Sequence, residues 1–318
     1  MAETIGRLGE DAIIDLFAGG GPAPGDDVVL PNGDDAAAYR PEPGRVQVLT
    51  TDSQADGVHF VRGTTPPRAV GWKLMAVNLS DLAAMGARPR YALLSVVLPR
   101  DLSVEWLQDV AGGVHDAATA FDVVILGGNV SRSTGALVLD ATLVGDADPA
   151  RLVPRGGARA GDDIWVTGEL GAPAAALARI DAAGAPAEHD PDFGLARRLF
   201  RPEPRVGLGA ALAAGGLARA MCDVSDGLAR DLGHLLRAGQ GCRIAKPELP
   251  ASPALFELAE RLGVDPGPWI VGGGEEYELL FAAEPSLRSA VVKTALAAGL
   301  TVSRIGAETP TGPSEIVD

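Results

Sequence analysis

A chain of 318 residues with 47% hydrophobic content holds enough material for one large domain or two ordinary ones, and two is the expectation. Its 42 acidic against 27 basic residues give a formal net charge of -15, which repels nucleic acid and anionic membrane alike and obliges any anionic ligand to bring cations. The two cysteines, Cys222 and Cys242, stand outside any CxxC pair or Cys/His cluster, so a disulfide framework and structural zinc are disfavoured and a reducing cytosol fits.

The N-terminal MAETIGRLGEDAIIDLF has no basic start followed by an apolar run, and no stretch approaches about eighteen uncharged apolar residues, so the expectation is a soluble cytoplasmic protein. Residues 46–52 (VQVLTTD) predict a strand, residues 66–85 an amphipathic helix stopped by Gly86 and Pro89, and residues 91–99 a buried strand. A helix over 104–119 and strands over 122–128 and 136–145 follow. Residues 146–162 are polar and carry proline and glycine, and the strand pattern restarts at 163–168, which places a domain boundary at 150/151. The second part predicts helices at 194–200 and 207–218, a strand or turn at CDVSD, a helix at 227–238, a strand after GGGEE and a helix at 285–298. Residues 178–192 read as a surface loop. The expected fold class is α/β: a mixed-sheet α+β domain over 1–150, then an α/β domain over 151–318.

Asp81 breaks the pattern of its helix. It lies on the stripe of Val70, Leu74, Val77 and Met85, where a solvated charge does not belong. Other carboxylates sit where a backbone is rigid enough to aim them: Asp34 and Asp35 in a GDD turn, Asp52 at a strand end after Thr50 and Thr51, and Asp223 and Asp226 in DVSDG before a helix. Converging aspartates raise one another's pKa unless a cation offsets them. Their oxygens, with the hydroxyls of Thr50, Thr51 and Ser225, form a hard donor set suited to magnesium and, through it, to a nucleotide's phosphates. Taken singly, each also has a plainer reading. Asp34 or Asp35 reads as a turn hydrogen-bonder, Asp223 or Ser225 as a helix N-cap, Asp52 as a turn residue, and Asp81 as the partner of a buried arginine.

No GxxxxGK[ST] loop or kinase catalytic loop is present, and GLGAAL lacks the third glycine of GxGxxG. Glycine turns at GGN, after a strand, and at GGGEE, before one, instead let a nucleotide approach the backbone. His59 reads by itself as a packing residue, and His115, His189 and His234 show no metal spacing.

In order, NGDDAA, TTDSQADGVHF, VNLSDLAAMGARP, GGNVSRS, DVSDGLARDLGH and GGEEYELLF resemble the motifs of bacterial thiamine-monophosphate kinases, within the superfamily of aminoimidazole ribonucleotide synthetase. The resemblance runs to about Phe281. It implies that Asp35, Thr50, Thr51, Asp52 and Asp81 bind several magnesium ions, with Asn129, Asp223 and Asp226 as further metal contacts. It implies that Gly128, Arg155 and Ser225 contact ATP, and that His59 and Glu275 contact thiamine monophosphate. The implied reaction is direct in-line transfer of ATP's γ-phosphoryl group to thiamine monophosphate, giving thiamine diphosphate, in a homodimer joined through its N-terminal sheets. On that reading Asp81 faces inward because its helix borders a metal cluster. The accepting phosphate, with a second pKa of about 6, is largely ionised at neutral pH, so no general base is assigned.

Three features depart from the family pattern. Asn129 stands where the aspartate of GGD is usual, keeping an oxygen and losing a charge, and Glu276 replaces the aspartate of GGED. The glycine- and aromatic-containing tail of the family does not follow TGPSEIVD. On these grounds two alternatives stay open: another ATP-using enzyme of the superfamily, and a non-catalytic nucleotide or thiamine-phosphate binding relative.

Overall fold

The computed structural model describes residues 4–317, so the first three residues of the N-terminal reading, and Asp318, lie outside the described residues. The chain divides into two compact units. One comprises the described residues up to Leu82 together with Arg88–Pro149, the other Ala83–Ala87 and the chain from Ala150.

The first unit runs α1 (Glu10–Ala18), β1 (Val28–Leu30), β2 (Ala38–Tyr39), β3 (Val46–Ala55), α2 (Pro67–Ala84), β4 (Arg88–Pro99), α3 (Val104–Ala120), β5 (Val124–Ser133) and β6 (Val138–Ala147). Its four long strands form a sheet in the order β3-β6-β4-β5, antiparallel except for β4 and β5, which α3 joins as a parallel crossover. Side chains alternate between the faces. Ala92, Leu94, Val96 and Leu98 of β4 and Leu139, Ala141 and Leu143 of β6 are buried on the helix side. Leu49 and Leu93, pointing the other way, are 66% and 44% exposed. That second face is open except at one end, where β1 and β2 fold over it and Tyr39 packs on Tyr91 with ring centroids 4.5 Å apart.

The 66–85 helix proves buried on every side rather than amphipathic. Trp72, Met75, Leu79 and Leu82 are as hidden as Val70, Leu74 and Val77, none above 5% exposure. The cause lies in two glycines. A Cβ on Gly71 would sit 1.9 Å from the Val110 carbonyl oxygen, and one on Gly113 1.9 Å from that of Arg68, so α2 and α3 touch backbone to backbone. Two further expectations shift. Because β3 runs on to Ala55, Asp52 lies inside a strand and not at its end. GGN is not a turn after a strand either: β5 passes through it, with Gly127 at φ 140 where the β4–β5 register slips between Ala92 and Leu93.

The second unit runs β7 (Asp163–Thr167), α4 (Ala172–Ala183), α5 (Phe193–Phe200), α6 (Val206–Ala214), β8 (Ala220–Asp223), α7 (Leu228–Leu235), β9 (Gly241–Ala245), α8 (Pro253–Leu262), α9 (Gly267–Gly272), β10 (Leu279–Ala283), α10 (Arg288–Ala297), β11 (Val302–Thr309) and β12 (Glu315–Val317). The sheet order is β12-β9-β11-β7-β10-β8, antiparallel apart from the β12–β9 pair. Its central strands are covered on both faces. Ile164, Val166, Cys222 and Leu280 enter one core, Trp165, Met221 and Phe281 the other, which explains their unbroken apolar runs. The loop expected at 178–192 begins later than anticipated, because alanine-rich α4 continues through Ala183. Within it Arg179 pairs with Asp190 at 2.9 Å and Asp192 at 3.0 Å. No helix of the described residues is long and apolar enough to cross a membrane.

Candidate functional site

Asp81 finds its partners on β3. The Thr50 hydroxyl donates to Asp81 Oδ2 at 2.5 Å. Asp52, two residues along and therefore on the same face, shares a hydrogen bond with Asp81, and its carboxyl is pushed up to about 6, by burial first and by the Asp81 charge second. The excess negative charge is what a divalent cation relieves. Magnesium is commonly held by one or two carboxylates, with phosphates and water completing its shell, and this oxygen-only set fits that mode. Among the described residues no three His, Cys, Asp or Glu groups converge as a metal site.

Thr51 points the opposite way. Its hydroxyl accepts from Thr142 Oγ1 at 3.0 Å on the open face, so the TTD triplet is divided across the sheet. A cavity of about 970 Å³ lies on that face, lined by Asp34, Asp35, Gly128, Asn129, Asp140 and Thr142 among others. Asn129, Ser95 and Asp140 form one row across β5, β4 and β6. Ser53 donates to Asp140, and Asn129 Nδ2 donates to Ser131 Oγ at 3.3 Å. Gly128 has no room for a side chain, since a Cβ would lie 1.9 Å from the Leu94 carbonyl oxygen. Asp34 does take the turn role, accepting the Asp35 N–H at 2.8 Å, and leaves Asp35 on the cavity wall. His59 is exposed in the turn after β3, where its Nδ1 accepts the Ala55 N–H at 3.1 Å. It joins neither group.

In the second unit Asp223, 3% exposed, ends β8, with Ser225 and Asp226 just beyond. Neither Asp223 nor Ser225 caps α7. Gly227, at φ 107, is the capping position, and the carboxylate of Asp231 reaches back from the first turn to accept the N–H groups of Ser225 and Asp226, each at 3.0 Å. Burial pushes the Asp231 carboxyl up. Asp231 is a residue that the motif reading missed. Its signal was a carboxylate in the first turn after a Ser-Asp-Gly start, the logic of a capping box.

Residues 273–278 lie against DVSDG. Glu275 N–H donates to the Ser225 carbonyl at 2.8 Å, and Tyr277 N–H to that of Val224 at 2.9 Å. Glu276, 6% exposed, accepts the Gly171 N–H, and burial pushes its carboxyl up to about 8. Arg155 is exposed, and the carbonyl of its neighbour Pro154 accepts the Met221 N–H at 3.3 Å, which ties its loop to β8.

Residues 33–147 match the N-terminal domain of the AIR synthase related proteins, and residues 159–318 the C-terminal domain. The thiamine-monophosphate kinase of Escherichia coli strain K12 is 38% identical over 275 residues, which cover 85% of this chain and 81% of that one. The chain belongs to the thiamine-monophosphate kinase family. Solved structures of this family share the fold. Thiamine-monophosphate kinase from Stenotrophomonas maltophilia K279a superposes with a TM-score of 0.83 at 39% identity over 91% of each chain. AaThiL complexed with AMPPCP and TMP superposes with a TM-score of 0.77 at 33% identity, over 90% of this chain and 89% of that one.

Proposed function

We propose that the protein transfers the γ-phosphoryl group of ATP to the phosphate of thiamine monophosphate, giving thiamine diphosphate and ADP. The observation that carries the reading is the contact of Asp52 with Asp81 beside Thr50, in a chain whose relatives are thiamine-monophosphate kinases. A structural neighbour complexed with AMPPCP and TMP supports the same pair of substrates. Both are anionic and the protein carries a net charge of -15, so their approach needs cations. When bound, magnesium neutralises charge between the reacting phosphates and on the transferring group. Asp52 and Asp81 would hold it, with Thr50 fixing the Asp81 carboxylate and the Asp52 carboxyl giving up its proton to do so.

Family resemblance supports further metal contacts from Asp35, Thr51, Asn129, Asp223 and Asp226, ATP contacts from Gly128, Arg155 and Ser225, and substrate contacts from His59 and Glu275. Placement of Asp35, Gly128 and Asn129 on one cavity favours a shared role for these three. Thiamine monophosphate brings an ionised phosphate oxygen as nucleophile, so the transfer runs in line without a general base. The open sheet face, with Leu49 66% exposed, supports a homodimer built on the N-terminal sheets; the free thiols of Cys222 and Cys242 support a cytoplasmic enzyme, and the acidic charge one without nucleic-acid partners.

Asn129 favours one second reading, a relative that binds the nucleotide without turnover, because it takes a charge from the cavity wall. Incubation with ATP, magnesium and thiamine monophosphate, with products resolved by chromatography, separates the two. Thiamine diphosphate supports the kinase. Its absence at saturating magnesium, with ATP bound, supports the other.

A further inference from the structure

Residues 273–278 are held more tightly than their glycines imply. They form neither helix nor strand, yet Glu275 and Tyr277 both take left-handed backbone angles, at φ 65 and φ 53, a conformation that residues other than glycine rarely adopt. Both must be restrained. From one side DVSDG restrains them through the Ser225 and Val224 carbonyls, and Gly274 is pressed so close that a Cβ would lie 2.4 Å from the Ser225 oxygen. From the other side the contact is Glu276, the residue between them.

Glu276 turns inward and its Oε1 accepts the N–H of Gly171, which opens α4. That donor cannot drift. Gly171 sits at φ 89, with Leu255 and Ile270 atoms 2.7 and 3.2 Å from where its Cβ would be. Two residues on, Glu278 is also buried but satisfied, by Arg198, Arg205 and the Thr167 hydroxyl. Glu276 is not: its Oε2 is buried without a hydrogen-bond partner among the described residues. A carboxyl left half-satisfied in the interior opposes folding. What it contributes in return is the tie to Gly171, which the family's aspartate, a methylene shorter, reaches less far to make.

We propose that Glu276 is a positioning residue: it fastens residues 273–278 to the first turn of α4, fixes the left-handed backbone of Glu275, and so sets the direction in which Glu275 meets thiamine monophosphate. The inference rests on the substrate role given to Glu275 above. At pH 7 the Glu276 side chain is neutral, its carboxyl being held up at about 8 by burial. Glutamine therefore keeps its reach, its acceptor and its charge state. Alanine removes the tie, and aspartate keeps the acid but withdraws it.

The test compares the parent with E276Q, E276D and E276A by amide hydrogen exchange of residues 273–278 and by separate KM values for thiamine monophosphate and ATP. Circular dichroism checks that each variant is folded. In E276A exchange rises about tenfold or more and the KM for thiamine monophosphate rises about tenfold, while the KM for ATP and all values for E276Q stay within about twofold. E276D falls between, and it decides the matter where E276A does not fold. Unchanged exchange in E276D and E276A overturns the proposal, as does a rise in the ATP KM equal to that for thiamine monophosphate. Should the parent show no affinity for thiamine monophosphate, the functional reading and the role of Glu275 fall together, and the exchange comparison alone decides whether the tie exists.

Discussion

Asp52 on β3 and Asp81 on α2 share a hydrogen bond across the boundary between sheet and helix layer, and burial, then the Asp81 charge, then that bond push the Asp52 carboxyl up to about 6. The contact explains why a carboxylate occupies the apolar stripe of α2. Its partners are another carboxylate and a threonine hydroxyl, not a buried arginine, so the charge is left for a cation to offset.

Asp81→Asn keeps an oxygen to accept from Thr50 and removes one of two like charges. Turnover should fall by at least about a hundredfold if Asp81 holds magnesium as proposed. Thermal stability without metal should stay level or rise, since repulsion is relieved. Initial rates and a melting curve in EDTA check both, and a large loss of stability would mark Asp81 as a structural residue.

Magnesium affinity should depend on pH with a definite sign. The Asp52 carboxyl lies above its usual 3.8, at about 6, so below that pH an incoming ion must displace a proton. Affinity should rise up to about tenfold per pH unit below 6 and level off above. The same shift makes the metal-free protein lose stability as pH rises from 3.8 to about 6, because the unfolded chain ionises first. Calorimetry between pH 5 and 8 measures the first effect, and melting in EDTA the second.

Asn129→Asp restores a charge to the cavity wall that carries Asp35. The magnesium concentration for half-maximal rate should drop by about two- to tenfold, because carboxylate binds a hard cation more strongly than amide does. A magnesium titration of initial rates reads the change.

Asp231→Ala releases the N–H groups of Ser225 and Asp226 at once. The loss should be about 2 kcal/mol of stability, with Asp231→Asn losing less because one oxygen still accepts. Denaturant unfolding of the two variants provides the comparison.

Much of this was legible in sequence, and the exceptions have physical causes. Asp81 stood out because a helical period makes a misplaced charge visible. GGN looked like a turn because glycine is the usual turn residue, whereas here Gly127 serves a bulge and Gly128 a close approach to Leu94 inside a strand. The all-round burial of α2 depends on Gly71 and Gly113 meeting α3 backbone, a tertiary contact that leaves no periodic trace. Motif reading grouped Thr50 with Thr51, although strand alternation alone sends them to opposite faces. Asp231 carries no motif mark and yet organises the DVSDG backbone, while His59, which the motif does mark, makes a local turn contact that only the folded chain reveals.

Magnesium-dependent transfer through the Asp52–Asp81 pair is measured most directly as thiamine diphosphate formed per unit time from ATP and thiamine monophosphate as magnesium is varied, for the parent and Asp81→Asn. The parent should give product that rises with magnesium, and the variant little or none at any concentration. No product from the parent while ATP binds, or equal product from both proteins, would contradict this reading.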